Sequence, residues 1–521
     1  MLVKGCGGGA TGPRKSSAFG ARGCRVERSG LDMFLTLNAA DLMEQAWRFG
    51  CAGLVLGLSL WASAHAVLYK RDSRAAIAWV GFIWLVPVAG AVLYCIFGVN
   101  RIRRQASLLR GNLERYRAQA AETGCLPEEL HEHLPKHTGH LHMLARVVDG
   151  VVGRPLLTGN AVEPLVNGDE AYPAMLEAIR QARRTISLQT YIFDRDEAGL
   201  EFVAALGEAV RRGVEVRVLV DSAGAHYSWP NILHALRGRK VPCAEFLPSL
   251  GHLRLMTLNL RTHRKILVAD GQLGFTGGMN IRAGHCLRRK PRSPVQDIHF
   301  RVRGPVVTRL QEAFSDDWLF STKECLRGEG WFPKPVSAGP VLARGISDGP
   351  DEDFEKLRWS ILGALSIARY SVRIVTPYFL PDTALVSALN LAAMRGVRVE
   401  IVLPERSNLP FVQWASRAMW WQVLEHGCHI WLTPPPFDHS KLMVVDGCWS
   451  LVGSANWDAR SLRLNFEYNL ECYDAQLAAL LEGIIESKRS AAREVGIQEM
   501  DARSLPVRLR DGVARLMTPY L

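Results

Sequence analysis

One short stretch of this 521-residue chain occurs twice, and the repetition limits what the chain can fold into. The first copy, from residue 261, reads RTHRKILVADGQLGFTGGMN, and the second, from residue 437, reads FDHSKLMVVDGCWSLVGSANW. Each contains His-x-Lys, an Asp after four further residues, then Gly-Gly or Gly-Ser and, one residue later, Asn. We interpret the two copies as parts of a duplicated structural unit.

The similarity extends to the expected secondary structure around each copy. A helical period, as in Met175 and Ile179, precedes a β-rich run that reads TISLQTYIF in one half and SVRIVTPYF in the other. A second helix then ends at Arg-Gly, where glycine suits the position after a helix, and a Val-rich strand follows. This spacing predicts an α/β fold with parallel strands and helices on the faces of the sheet.

We therefore predict two α/β/α units, at 151–326 and 351–495. A linker rich in Gly and Pro joins them at 327–350, and a C-terminal segment follows at 496–521. Duplicated units often pack face to face about a pseudo-twofold axis. In that arrangement each half would contribute one His and one Lys to a shared cleft.

Two runs without formal charge, 49–69 and 75–99, precede these units. A helix needs roughly 20 residues to cross the hydrocarbon layer of a bilayer, so both runs are long enough. Only KRDSR separates them, which predicts a hairpin of two transmembrane helices within residues 46–100, kinked at Pro87. The alternative is a pair of buried helices in a soluble core.

The segments on either side of the hairpin are basic. The arginines of these two flanking segments outnumber the basic residues of the hairpin turn. The positive-inside rule therefore places both tails in the cytoplasm. Residues 1–45 are expected to be disordered and do not resemble a signal peptide. Residues 101–150 are expected to form a basic linker. Its histidines could hold a metal ion, but a solvated linker is favoured because their spacing fits no ligand pattern.

The composition indicates the charge of the partner but not its chemical class. The net charge of +12 and the pI near 9.3 indicate attraction to an anionic partner, either nucleic acid or an acidic membrane surface. The 11 cysteines include no Cys-x-x-Cys pair, which argues against a disulfide framework and a zinc ribbon.

The residue types of the repeated motif favour phosphate chemistry. His263 and Lys265 lie two apart on a predicted strand and therefore share a face, as do His439 and Lys441. One copy alone could be a structural pair, whereas two copies with matching Gly-x-Asn ends favour a function. Histidine can act as nucleophile, acid and base, and lysines and amides can hold phosphate oxygens. With neither a P-loop nor an acidic metal-binding cluster in the sequence, no metal or cofactor is expected.

These motifs resemble those of the phospholipase D superfamily, and the closer resemblance is to bacterial cardiolipin synthases. The resemblance covers nearly the whole chain and includes the apolar runs, YIFDRDEAG, VQDIHFRVRGP, TPYFLPD, VGSANWDARS and NFEYNLECYD. It implies that one His attacks phosphorus to form a phosphohistidine while the other protonates the leaving alkoxide and later activates an alcohol or water.

The resemblance also implies roles for individual residues. His263 would be the nucleophile and His439 the general acid and base. The expected phosphate ligands are Lys265, Lys441, Asn280 and Asn456, with Ser454 assisting. Asp297 and Glu467 would hold each catalytic His in its tautomer. The motif aspartates, Asp270 and Asp446, are expected to stabilise turns through a salt bridge.

The function implied is that of a membrane phosphatidyltransferase, which makes cardiolipin and glycerol from two phosphatidylglycerol molecules. The alternative within the superfamily is a phosphodiesterase that hydrolyses phospholipids. An inactive scaffold that binds anionic lipid is a third class, and the two intact motifs argue against it. The expected partners are phosphatidylglycerol, other anionic phospholipids and the membrane, and not nucleic acid. The expected location is the bacterial inner membrane, multi-pass, with the catalytic units in the cytoplasm.

Overall fold

The computed structural model describes residues 29–70, 73–95, 124–247, 260–351 and 353–518. The chain divides into two compact units, residues 1–100 and residues 101–521.

The described part of the N-terminal unit includes the helices α1 (Ser29–Tyr69), α2 (Ser73–Leu85) and α3 (Pro87–Leu93). Within α1, the segment Asp41–Tyr69 is long and apolar enough to cross a membrane, judged by length and composition. Because α1 begins at Ser29, the prediction of disorder up to residue 45 is wrong from that residue onward. Residues 1–28 lie outside the described part of the chain.

The second predicted span, 75–99, is not one continuous helix. The helix α2 ends at Leu85, Val86 is not helical, and α3 begins at Pro87. Proline lacks an N–H and its ring clashes with the preceding turn, which accounts for the predicted kink. The apolar part of α2, Ala75–Leu85, is shorter than a span needs, and residues 96–99 lie outside the described chain. A hairpin of two transmembrane helices is therefore not confirmed.

The helices of this unit pack through small side chains. Ala62 and Ala66 of α1 are fully buried in one cluster with Ile83 and Tyr94. The Tyr94 hydroxyl lies 2.8 Å from Nδ1 of His65, so this polar pair is satisfied inside an apolar contact.

The first half of the C-terminal unit is built on one mixed sheet. Its strands are β1 (Gly124–Cys125), β2 (Leu156–Val166), β3 (Thr185–Thr190), β4 (Glu215–Asp221), β5 (Cys243–Phe246), β6 (Arg261–Thr262), β7 (Ile266–Ala269), β8 (Leu273–Gly277), β9 (Val295–Gln296) and β10 (Ile298–Arg303). The central order is β5-β4-β3-β7-β8-β10-β2. The pairs β3–β4 and β4–β5 are parallel, and the others are antiparallel.

The second half repeats this order. Its strands are β11 (Val341–Asp348), β12 (Ser371–Val375), β13 (Arg398–Pro404), β14 (His429–Thr433), β15 (Phe437–Asp438), β16 (Leu442–Val445), β17 (Trp449–Gly453), β18 (Asn465–Tyr473) and β19 (Arg493–Val495). The order is β14-β13-β12-β16-β17-β18-β11, with β19 added beside β14. The predicted linker 327–350 is therefore too long, since β11 begins at Val341.

Helices cover both sheets. They are α4 (Leu130–His133), α5 (His142–Val152), α6 (Asn167–Gln181), α7 (Glu197–Arg211), α8 (Ile232–Gly238), α9 (Val307–Thr322), α10 (Lys356–Ile367), α11 (Thr383–Met394), α12 (Pro410–Arg417), α13 (Trp421–Leu424), α14 (Ala459–Arg463), α15 (Ala475–Ser490), α16 (Ile497–Asp501) and α17 (Leu505–Leu516). In the first half α6, α7 and α8 share a core with one face of the sheet. The helices α9 and α15 contribute to a core shared by both halves.

The predicted α/β fold class is confirmed. The helices α7 and α11 connect parallel strands, as the sequence period indicated. Each helix is followed by a glycine in the left-handed region, Gly213 at φ 86° and Gly396 at φ 88°, where a side chain would be strained. The halves meet along the antiparallel pair β2–β11.

Residues 124–152 belong to the folded unit, so the prediction of a linker over 101–150 is wrong for this part. Leu141, Leu144 and Val148 are fully buried in the core of the second half. His140, one of the linker histidines, is buried with Nε2 2.7 Å from Asp446. The apolar positions of α5 explain the docking, because they give the helix one face to bury.

Asp270 and Asp446 stabilise equivalent turns. Both have φ 51° and precede a glycine of positive φ, the pattern of a type I′ turn, which aspartate tolerates. The Asp270 carboxylate accepts hydrogen bonds from the peptide N–H groups of residues 183–185, and Asp446 does the same for residues 369–371. Among the described residues, only Asp446 also contacts a basic side chain, that of His140.

We expect His140→Ala to lower the free energy of unfolding by about 2 kcal/mol, because Asp446 loses a buried hydrogen-bond donor and the histidine leaves a void. Thermal or denaturant unfolding of the full chain in detergent measures the change. His142→Ala is the matched control, since that partly exposed ring bonds only the local carbonyl of Gly139. Equal stability of the two variants would contradict the structural role of His140.

Candidate active site

Each half contributes a short strand that pairs with the other half. The strand β6 runs parallel to the start of β18, and β15 runs parallel to β9, just before β10. The pairing continues into the motifs: the His263 N–H donates to the Phe466 carbonyl and the His439 N–H to the Gln296 carbonyl, both at 2.8 Å. Two equivalent backbone contacts thus fix both motif histidines across the boundary between the halves.

The two imidazoles meet in one site. Their ring centroids are 6.5 Å apart with an interplanar angle of 79°. Nδ1 of His263 lies 3.0 Å from the Glu467 carboxylate, and Nδ1 of His439 lies 2.8 Å from Asp297. In the tautomer with the proton on Nδ1, each ring donates to its carboxylate and Nε2 is left as the reactive nitrogen.

The histidine–carboxylate pairs cross between the halves, which the motifs alone did not reveal. Glu467 belongs to the second half and holds the histidine of the first, and Asp297 does the reverse. The reason is the strand pairing: Glu467 follows Phe466, which bonds His263, and Asp297 follows Gln296, which bonds His439. Neither half holds its own histidine in this way.

Burial and neighbouring cations favour the neutral form of both rings. Burial lowers the pKa of His263, and the nearby Lys265 and Lys441 lower it further against the opposing effect of Glu467. The pKa of His439 is lowered well below its ordinary value by burial, then by the same two lysines and His263. An anion bound between the rings would reverse these shifts by stabilising the charged forms.

The two motif lysines are buried beside the histidines. Each Nζ donates to the carbonyl of its own motif histidine, at 2.7 Å for Lys265 and 2.5 Å for Lys441. Burial lowers the pKa of Lys265 to about 7 and that of Lys441 to about 8, and Lys441 adds to the effect on Lys265. Both buried lysines can therefore be fully charged at neutral pH only when an anion is bound beside them.

The two carboxylates differ in their surroundings. Burial acts to raise the pKa of Glu467, but His263, Lys265 and the Ser454 hydroxyl stabilise the carboxylate and lower it overall. Burial raises the pKa of Asp297, with Lys441 only partly opposing it. The acceptor beside His263 is thus the more firmly ionised of the two.

Ser454 does not lie where substrate binding would place it. Its hydroxyl donates to Glu467 at 2.5 Å and accepts from the Tyr468 N–H, and the residue is fully buried. We correct its predicted role from phosphate ligand to support of Glu467. The equivalent Gly278 has no room for a side chain, since a Cβ there would lie 2.5 Å from Asp297.

The two asparagines flank the site asymmetrically. The Asn280 side-chain oxygen accepts from the Ile192 N–H at 3.0 Å, which leaves its amide donor available for an anion. Asn456 donates to Ser461 at 3.1 Å, and its oxygen is buried with no hydrogen-bond partner among the described residues. Asp270 and Asp446 lie outside this group, at their turns.

Aromatic side chains border the histidines, and the motif analysis missed them. Tyr191 lies 5.4 Å from the His263 ring, and Tyr378 and Phe437 lie 6.3 and 6.0 Å from the His439 ring. Tyr191 and Tyr378 follow β3 and β12, the equivalent strands. The aromatic residues of TYIF and TPYF, directly after two repeated strands, were the available signal. Among the described residues, no group of three His, Cys, Asp or Glu side chains is arranged to hold a metal ion.

Known families match this arrangement over most of the chain. The family described as "Cardiolipin synthase, PLD-like domain" matches residues 175–318 and 361–489, and "Phospholipase_D-nuclease N-terminal" matches residues 57–98. Cardiolipin synthase A of Pseudomonas syringae is 33% identical over 90% of this chain and 98% of that protein. Cardiolipin synthase 1 of Bacillus anthracis is 31% identical over 87% of this chain and 90% of that protein.

A solved structure shares the fold. The phosphatidylserine synthase of Haemophilus influenzae covers 73% of this chain and all of its own, with a TM-score of 0.57 and 16% identity. At that identity the likeness is one of fold. With the family model matching both halves and relatives aligned over almost their full length, this chain belongs to the bacterial cardiolipin synthases, enzymes of the phospholipase D superfamily.

Proposed function

We propose that this enzyme transfers the phosphatidyl group of one phosphatidylglycerol to a second one, releasing glycerol and forming cardiolipin through a phosphohistidine. The observation that carries the proposal is the pair of imidazoles 6.5 Å apart between two buried lysines. A phosphodiester carries one negative charge and two non-bridging oxygens, which matches this site in charge. The names of the relatives supply the lipid class.

In the first step, Nε2 of His263 attacks phosphorus and the bond between phosphorus and the glycerol oxygen breaks. His439, protonated once the anion is bound, gives its Nε2 proton to the leaving alkoxide. Lys265, Lys441 and the Asn280 amide hold the non-bridging oxygens as negative charge builds up on them. The products are free glycerol, a phosphatidyl group on His263 and a neutral His439.

In the second step, the headgroup hydroxyl of another phosphatidylglycerol takes the place of glycerol. His439 accepts its proton while the oxygen attacks phosphorus, and the bond between phosphorus and His263 breaks. This restores both histidines and releases cardiolipin. Water in place of the lipid hydroxyl would give phosphatidic acid, so the outcome depends on what reaches the intermediate.

Two features support the assignment of His263 as the nucleophile. Its partner Glu467 is held ionised, which fixes the proton on Nδ1 and leaves a lone pair on Nε2. His439 instead has Lys441 Nζ 2.9 Å from Nδ1 as well as Asp297, a setting in which its charge responds strongly to a bound anion. That response suits the residue that must gain and lose a proton.

Transfer rather than hydrolysis is favoured by the aromatic border. Tyr191 and Tyr378 are largely buried beside the two rings, and the Tyr378 hydroxyl donates to Asn408 at 2.7 Å. Packed rings reduce the space that water can occupy at the phosphohistidine. A lipid headgroup anchored in the bilayer is then present at a higher local concentration than a soluble alcohol.

The product assay tests the function and its alternative together. Purified enzyme with labelled phosphatidylglycerol should yield cardiolipin and glycerol, and phosphatidic acid as the main product would favour hydrolysis. His263→Ala and His439→Ala should each lose at least about 1000-fold in turnover, because the two rings act as a unit. In the wild-type enzyme, labelled lipid that is covalently attached should be found on the peptide that contains His263.

His429→Ala is the control for these variants, since that exposed ring lies on β14 and pairs with Glu494. It should retain full turnover. Label on the peptide containing His439 would reverse the assignment of the nucleophile. Turnover by both alanine variants at the level of the control would reject the mechanism.

We expect kcat/KM to fall as the pH rises through about 7 to 8, because Lys265 and Lys441 of the free enzyme lose protons in that range. Bound phosphate stabilises both ammonium groups, so the decline in kcat should lie at higher pH. Steady-state kinetics over a range of pH measure the declines of both kcat/KM and kcat. Lys265→Arg, which stays charged, should move the decline in kcat/KM upward, toward the pKa of about 8 of Lys441. Coincident declines in the wild-type enzyme would contradict this reading.

We propose a multi-pass protein of the bacterial inner membrane, with the catalytic unit in the cytoplasm. Support comes from the apolar segment Asp41–Tyr69, the apolar helix α2 and the excess of arginines beyond the apolar runs. A protease added to intact spheroplasts should leave the catalytic unit uncut, and lysis should expose it to cleavage. Cleavage before lysis would place the unit on the opposite side.

A further inference from the structure

The helix α17 near the C terminus takes no part in the chemistry and has two unlike sides. Ala514 is fully buried in a small core with Leu380 and Ala415 of the second half. The opposite side carries exposed apolar residues at 505, 509, 513 and 516. Their spacing of four, four and three residues places them on one face of the helix.

These apolar side chains are as exposed as charged surface residues. The exposed fraction is 67% for Leu505, 60% for Leu509, 60% for Val513 and 72% for Leu516. The neighbouring helix α12 adds Leu409 just before it and Phe411 in its first turn, at 46% and 39%. We call these six residues the apolar face. Exposed apolar residues grouped on two neighbouring helices mark an interaction site more often than singly scattered ones do.

Arginines flank the apolar face. Arg508 and Arg515 lie along one border of α17, both exposed, and neither forms an ion pair with any residue in the described chain. Arg510 lies along the other border, 4.5 Å over the Trp414 ring, and is paired with Asp511 at 2.7 Å. An apolar stripe with unpaired arginines along its border is typical of helices that lie in the plane of an anionic bilayer surface.

The apolar face begins next to the catalytic cleft. Asn408, directly before Leu409, accepts the hydrogen bond of the Tyr378 hydroxyl at 2.7 Å. The ring of Tyr378 lies 6.3 Å from His439. A surface bound to the apolar face is therefore close to the reacting groups.

We infer that the apolar face is a docking surface for a phospholipid bilayer with anionic headgroups, separate from the N-terminal apolar helix. The leucines and Phe411 would enter the boundary between headgroups and acyl chains while Arg508 and Arg515 contact headgroup phosphates. A second copy of this chain fits less well, because it would bring two sets of unpaired arginines together. This inference goes beyond the proposed reaction, since binding does not depend on which lipid reacts.

Hydroxyl-radical footprinting of the full chain tests the contact directly. The enzyme is placed in vesicles of phosphatidylcholine with or without phosphatidylglycerol, and oxidation of the side chains is mapped by mass spectrometry. Oxidation of the α17 peptide and of Phe411 should fall several-fold in the vesicles with phosphatidylglycerol. Leu480 of α15, 59% exposed, should be oxidised equally in both.

A matched pair of variants links docking to access. Leu509→Glu on the apolar face should raise the KM for phosphatidylglycerol in vesicles roughly 10-fold at similar kcat, because a leucine leaves the bilayer and a negative charge meets it. Leu480→Glu makes the same exchange at the same exposure and should leave the KM unchanged. Both variants should unfold at the wild-type temperature.

Equal oxidation of α17 in the two kinds of vesicle would overturn the inference. So would protection that appears without lipid and grows with protein concentration, because that identifies a second copy as the occupant. Footprinting does not require turnover, so failure of the proposed reaction and failure of docking give different results.

Discussion

The site depends on a pair of backbone contacts between the halves. The His263 N–H bonds Phe466, and the His439 N–H bonds Gln296. These contacts extend two short parallel pairings, and each brings a histidine against the carboxylate that follows on the other half. A duplicated fold with a single reactive centre results, because neither half can orient its own imidazole.

The basic side chains between the two halves make the cleft suitable for binding an anion. Two lysines and two histidines are buried between two carboxylates that already have partners, so positive charge accumulates where a phosphodiester would lie. Burial lowers the pKa of all four basic groups, which disfavours having all four charged at once. Because a bound anion stabilises the charged forms, its binding is coupled to proton uptake by these groups.

Much of the fold was accessible from the sequence, and some of the site was not. Residues 183–221 and 369–404 carry similar periods, so parallel strand pairs followed from local pattern alone. The docking of residues 124–152 was missed because a basic, His-rich composition resembles a linker until His140 is seen against Asp446. Ser454 was misassigned because a hydroxyl near a motif can face either the substrate or the supporting carboxylate.

The sequence by itself determined that two equivalent units exist, that each carries one His-x-Lys pair, and that phosphate chemistry suits those residues. These conclusions need only spacing and residue type, which are local properties of the chain. Only the tertiary structure decided that Glu467 serves His263 and Asp297 serves His439, and that α17 leaves one apolar face exposed. Such relations join residues far apart in the chain, and sequence spacing carries no information on which strands from different halves lie side by side.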